Sequence, residues 1–225
     1  MTLSLSTSGS ESRSRISGTV VSPPPSSAEE SIYVSKGAVD WAYFDRLSHG
    51  ISVFDRKLHC AGDIGRAYLR NGAAPDTSTD SEDYISCRGG NSGSSFAACR
   101  DFCYVVGDHK TIEFTHLLLA PTETVEVYLV SFDAKTNLVA QLENGPRYRA
   151  DGVILGNYYD PWKDGDGTGS GHGYAILRLR VHGRIGQLLT VKATVDTAGV
   201  KRKDYGNVGF QAVRVTFPSG HGGRW

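Results

Sequence analysis

From Ile32 onward the apolar side chains recur at every second position, and glycine or proline interrupts them at strand-length intervals. A helical period is nowhere sustained. A period of two sends successive side chains to opposite faces of an extended chain, so one face of each segment must be covered while the other meets water. The clearest segment is Thr124 to Phe132, where Val125, Val127 and Leu129 share a face among β-branched and aromatic neighbours. Asn137 to Glu143 follows the turn Asp133-Ala134-Lys135-Thr136 with Leu138, Ala140 and Leu142 on one face, and the two segments read as a hairpin. Gly173 to His182 directs Ala175, Leu177, Leu179 and Val181 inward and Arg178 and Arg180 to water. Gln187 to Val195 alternates Leu189, Val191, Ala193 and Val195 against Lys192 and Thr194 in the same way. Gly206 to Phe217 repeats this style, and weaker strands are expected at Ile32 to Phe44, Ile51 to Leu58, Phe102 to Val106 and Thr111 to Leu118. Two packed sheets hide so many half-apolar strands most economically, which predicts an all-β, antiparallel two-sheet β-sandwich of jelly-roll-like or immunoglobulin-like form.

A chain of 225 residues suits one such domain. Residues 1–31 read differently: serine recurs at nearly every third position, prolines run together at Pro23-Pro24-Pro25, and the one short apolar patch is Ile16 to Val21. That composition predicts a disordered arm, with one edge strand at Gly18 to Val21. The sandwich is expected over 32–218 and a glycine-rich tail over 219–225.

Lysines plus arginines number 24 and aspartates plus glutamates 24, so no net field draws in nucleic acid, another polyanion or an anionic membrane surface. No apolar run approaches the length of about 20 residues that spans a bilayer, and Met1 to Ser8 shows neither the basic leader nor the apolar stretch of a secretory signal.

Several segments occur together in one order: Val39-Asp40-Trp41-Ala42, Arg56-Lys57, Thr124 to Tyr128, Asn137 to Pro146, Gln187 to Val191 and Gly206 to Ala212. Together they resemble an uncharacterised β-sandwich module repeated in secreted and cell-surface bacterial proteins, often beside immunoglobulin-like, fibronectin-like or polysaccharide-processing domains. The resemblance spans about Ile32 to Phe217, and its motifs are strand and turn signatures. It implies an extracellular or cell-surface location and a non-catalytic accessory role in glycan binding or adhesion, with no catalytic residues to carry over. The four cysteines and the loop after Tyr159 lie outside the pattern.

Gly90-Asn91-Ser92-Gly93-Ser94 is similar to the nucleophile loop of trypsin-like serine proteases, with His59-Cys60 echoing their histidine segment. Too few residues separate His59 from Ser92 to build the scaffold that holds a triad, so a Gly/Ser loop is the stronger reading. Cys60, Cys87, Cys99 and Cys103 form an even set suited to disulfides, while buried thiols or a metal site are the alternatives. Cys99 and Cys103 would lie roughly 13 Å apart in an extended strand, which leaves Cys60 or Cys87 as partners unless the chain turns. Asp164 and Asp166 alternate with glycine like the start of a calcium loop, but the closing acid is missing because Ala175 stands at the twelfth place from Asp164, which leaves a looser site of Asp160, Asp164 and Asp166. Ca2+ is the one cofactor this suggests, and a solvated glycine-rich loop is the plainer alternative.

The same loop carries Tyr158, Tyr159 and Trp162, rings that can stack on sugar faces beside acids that bond hydroxyls. Core capping by one or two of these rings competes with that role, and Trp41, Tyr43 and Phe44 read as scaffold. The leading expectation is therefore a non-catalytic carbohydrate-binding or adhesion module whose partner is a glycan or cell-surface polymer. The alternative is a structural subunit in a protein assembly, with the N-terminal arm ordering on a partner. A glycan-cleaving enzyme, which needs two carboxylates across a cleft, ranks last.

Overall fold

The computed structural model describes residues 13–21, 32–33, 37–45, 53–56, 68–70, 76–78, 85–87, 96–99, 102–159, 172–199 and 206–218. All regular structure among them is strand, and no helix among them is long and apolar enough to cross a membrane. The larger sheet runs in the order β1 (Arg15–Val21), β15 (His172–His182), β11 (Thr122–Phe132), β17 (Asn207–Thr216), β3 (Asp40–Asp45) and β4 (Val53–Arg56). Beside β1, the same edge of β15 also takes β14 (Gly156–Tyr159). Beside β3, β17 takes β9 (Phe102–Val106), which in turn pairs β6 (Asp76–Ser78). The second sheet has the order β13 (Arg147–Val153), β12 (Lys135–Leu142), β16 (Leu188–Asp196), β10 (Thr111–Leu117) and β5 (Tyr68–Arg70). All pairs in these two sheets are antiparallel. A small third sheet joins β2 (Ile32–Tyr33), β7 (Ile85–Cys87) and β8 (Phe96–Cys99), with β2 parallel to β7.

The two main sheets bury the aliphatic sets that alternate along their strands. Val125, Val127 and Leu129 of β11 and Leu177, Leu179 and Val181 of β15 meet Leu138, Ala140 and Leu142 of β12 and Leu189, Val191 and Val195 of β16 in one core. At one end Phe44, Phe114 and Phe210 form an aromatic cluster, the last two edge to face with centroids 5.3 Å apart. The sandwich is thus the arrangement that the period-two pattern demands.

Three expectations need correction. The segment Thr124 to Phe132 does not form a hairpin with Asn137 to Glu143: β11 belongs to the larger sheet and β12 to the smaller. Between them Asp133 takes a left-handed turn, φ 46°, and the chain crosses the core, so the two apolar faces oppose each other instead of lying side by side. The hairpin in this region is β12 with β13, closed through Asn144 at φ 51°.

The expected weak strand over Ile32 to Phe44 is two short strands in different sheets, β2 and β3. The arm expected over 1–31 contains a full edge strand, Arg15–Val21, three residues longer than Gly18 to Val21. Its seven residues pair with Ile176 to His182, with Ile16 and Val20 packed on the core and Arg15, Ser17 and Thr19 facing out. A serine-rich composition suits that half-polar position, because only alternate residues need to be apolar on an edge. Gly18 lies beneath the Tyr148 ring, where an added Cβ would stand 2.8 Å from the ring.

Candidate functional site

The outward residues of β1, β15 and β11 fall into rows because antiparallel partners sit side by side. One row is Arg15, His182 and Thr122; the next is Ser17, Arg180 and Thr124, continued on β17 by Thr216; the third is Thr19, Arg178 and Glu126, continued by Arg214 and Trp41. Short hydroxyl side chains between long basic ones leave a recess. Arg15, Ser17, Thr122, Arg180 and His182 line a cleft of about 500 Å3 there. Thr122 Oγ1 and His182 Nδ1 are 2.8 Å apart, which fixes the imidazole plane at the cleft wall.

Charge is distributed unevenly over this face. In the third row the Glu126 carboxylate accepts from Arg178 at 2.8 Å and lies 3.7 Å from Arg214, so the cations there are compensated. Arg15 and Arg180 have no carboxylate partner among the described residues. They are diagonal neighbours, Arg15 opposite His182 and Arg180 opposite Ser17, and such positions lie about 7–8 Å apart. The balanced total charge of the chain therefore hides a local cationic end.

Farther along the same face Trp41, Tyr128, Val130, Tyr174, Ile176 and Ala212 are buried although they point away from the core between the sheets. The β1 end of the face, by contrast, carries the exposed residues Arg15, Ser17, Thr19, Arg178 and Arg180. Burial pushes the Tyr128 phenol well above its ordinary value, and the neighbouring Glu126 adds to the shift.

A second polar group is fully enclosed. His116 Nε2 and Glu123 Oε2 are 2.7 Å apart with neither side chain exposed. Glu123 Oε1 also accepts from the backbone N–H of Ala120 at 2.7 Å and from that of Leu119. Glu123 ties down the β10–β11 connection, and its burial keeps the pair from any substrate in solution. It is part of the scaffold.

The aromatic loop expected as the contact surface is reached only at its start. Tyr158 and Tyr159 end β14, where Tyr159 pairs His172 and the register shifts after Asn157. Trp162, Asp160, Asp164 and Asp166 lie outside the described residues, and among the described residues no group of His, Cys, Asp or Glu is arranged to hold a metal ion. His172, opposite Tyr159, and His182 at the cleft are ten steps apart on β15, roughly 33 Å along an extended strand.

Of the cysteines, Cys60 lies outside the described residues. Cys87 and Cys99 belong to paired strands β7 and β8, opposite Phe96 and Ile85 respectively. Cys103 is buried on β9, opposite Phe210 of β17. The cleft residues were not singled out as a site from sequence. Arg180 was legible as water-facing, but its alignment with Arg15 depends on pairing between segments 160 residues apart in the chain.

No protein-family model and no curated protein matches the chain. Seven solved chains do. One is the structure of TmCBM61, a carbohydrate-binding module, in complex with beta-1,4-galactotriose: identity is 10%, the TM-score is 0.37, and the match covers 68% of this chain and 88% of that one.

Proposed function

We propose that this chain is a non-catalytic, extracellular or cell-surface glycan-binding module, and that the open end of the larger sheet is its contact surface. The observation that carries this reading is the cleft itself. Ser17 and Thr122 supply hydroxyls, Arg15 and Arg180 supply guanidinium donors, and all of them stand on paired strands whose backbones are already fixed. A sugar chain presents many hydroxyls, so it rewards a recess of convergent donors and acceptors held without further ordering cost. A cleft of about 500 Å3 lies within the usual ligand-site range of about 300–1,000 Å3 and accepts a short stretch of sugar units.

Affinity electrophoresis of the full chain through gels containing neutral and acidic polysaccharides tests the reading. Retardation by at least one polysaccharide is expected, and free migration through all of them overturns it. Comparing Arg180→Ala with Trp162→Ala separates the cleft from the aromatic loop, and running the gels with calcium or with a chelator tests Asp160, Asp164 and Asp166 independently.

A further inference from the structure

We infer that the cleft selects an acidic sugar: a carboxylate-bearing polysaccharide whose uronate group is held between Arg15 and Arg180. This rests on the glycan-binding reading and adds its ligand class. The two guanidiniums are exposed diagonal neighbours that share a cleft wall with Ser17, Thr122 and His182, and no carboxylate among the described residues answers either of them. The contrast within one face is informative. Arg178 and Arg214 flank Glu126, whereas Arg180 one row away and Arg15 two rows away have no such carboxylate among the described residues. An oxyanion set between them would meet the planar donor forks that guanidinium presents, in the geometry that suits carboxylate, and would relieve their mutual repulsion.

The remaining lining decides what carries the oxyanion. Ser17 Oγ is a small donor and acceptor matched to ring hydroxyls, and Thr122 Oγ1 holds His182 in place by its 2.8 Å contact with Nδ1. Among the described residues no Phe, Tyr or Trp lines the cleft for a base to stack on, and two uncompensated cations are fewer than a nucleic-acid track uses. A sugar acid satisfies both halves of the lining, with charge at one end and hydroxyls along the rest. The chain's zero net charge does not oppose this, because the ligand is recognised within a few ångströms of the two side chains and needs no long-range field.

The experiment is titration calorimetry of the full chain with polygalacturonate, neutral β-1,4-galactan and dextran sulfate, repeated on Arg15→Ala, Arg180→Ala, Arg180→Lys and the control Arg149→Ala. Arg149 lies on the other sheet, paired with Asp151. Polygalacturonate is expected to bind. Arg15→Ala and Arg180→Ala should each weaken it by at least about tenfold. Arg180→Lys should recover part of the loss, because it keeps the charge without the fork, and Arg149→Ala should change nothing. Circular dichroism checks that each variant keeps its strand spectrum. Binding of galactan alone, unchanged by Arg180→Ala, overturns this inference while leaving the glycan-binding reading intact. Dextran sulfate binding as tightly as polygalacturonate, with Arg149→Ala as harmful as Arg180→Ala, also overturns it, since diffuse charge would then be the cause. Binding of anionic lipid vesicles without polygalacturonate overturns both.

Discussion

Removing the Glu123 carboxylate is the sharpest test of how the sandwich is held at its β10–β11 end. Three donors converge on it: the His116 ring at 2.7 Å, the Ala120 amide at 2.7 Å and the Leu119 amide. With Glu123 accepting, the imidazole carries its proton on Nε2, and Nδ1, which has no hydrogen-bond partner among the described residues, is left as a bare lone pair. Glu123→Ala leaves the fully buried imidazole N–H without an acceptor, a change that costs about 1–3 kcal/mol. The two orphaned amides add less, because they are only part-buried and water can reach them.

The expected total of about 3 kcal/mol is a large share of a net stability of about 5–15 kcal/mol. At a denaturant slope of about 2 kcal/mol per molar, it moves the urea midpoint down by about 1.5 M. Glu123→Gln keeps an oxygen for the two amides and offers an N–H to His116, which must then shift its proton to the unpartnered Nδ1. That change should cost about 1–2 kcal/mol, or under about 1 M in midpoint. Urea unfolding followed by tryptophan fluorescence reads both. If Ala is no worse than Gln, or if His116→Ala and Glu123→Ala are additive when combined, the three-donor account is wrong.

Two further outcomes follow from other parts of the fold. Gly209→Ala should lower the melting temperature by several degrees, a loss of about 1–3 kcal/mol, because its Cβ would run into the Cys103 backbone carbonyl and come within 2.9 Å of Tyr104 Cβ; an unchanged melt would mean β9 is not held that close to β17. The Tyr128 phenol is raised above its ordinary value of 10.0, so the unfolded chain loses this proton first. Its contribution is kept below about pH 10 and lost as pH climbs toward the folded value. Tyr128→Phe should therefore flatten the fall in urea midpoint between about pH 9 and about pH 11 relative to the parent chain, and an identical slope in both would refute the assignment.

The strands that alternate strongly were legible in the sequence because burial on one face leaves a direct trace: β10, β11, β12, β15, β16 and β17 lie within a residue or two of their expected limits. β13 was missed because Arg147, Arg149 and Asp151 face water while the intervening Tyr148, Ala150 and Gly152 make a weak apolar set. Sheet membership was less legible than strand identity. The same period-two pattern fits a hairpin and a crossing between sheets, and the choice at Asp133 lies in a backbone angle that its residue type only permits. The cleft was hidden for a related reason. Arg15 and Ser17 look like fragments of a polar arm until their pairing with His182 and Arg180 makes them half of a wall.

The irregularity where Tyr128 and Leu129 meet Ala212 and Phe210 leaves Gln211 as one residue too many on β17. Val213 and Val215 on one side of it and Val208 and Phe210 on the other all enter the core, which a strictly alternating strand could not arrange. Gln211 therefore acts as a phase correction, resetting odd and even along the strand. Were the strand to run straight through Gln211, Phe210 would fall out of step with Val213 and the ring that meets Phe114 would be turned toward the opposite side of the sheet.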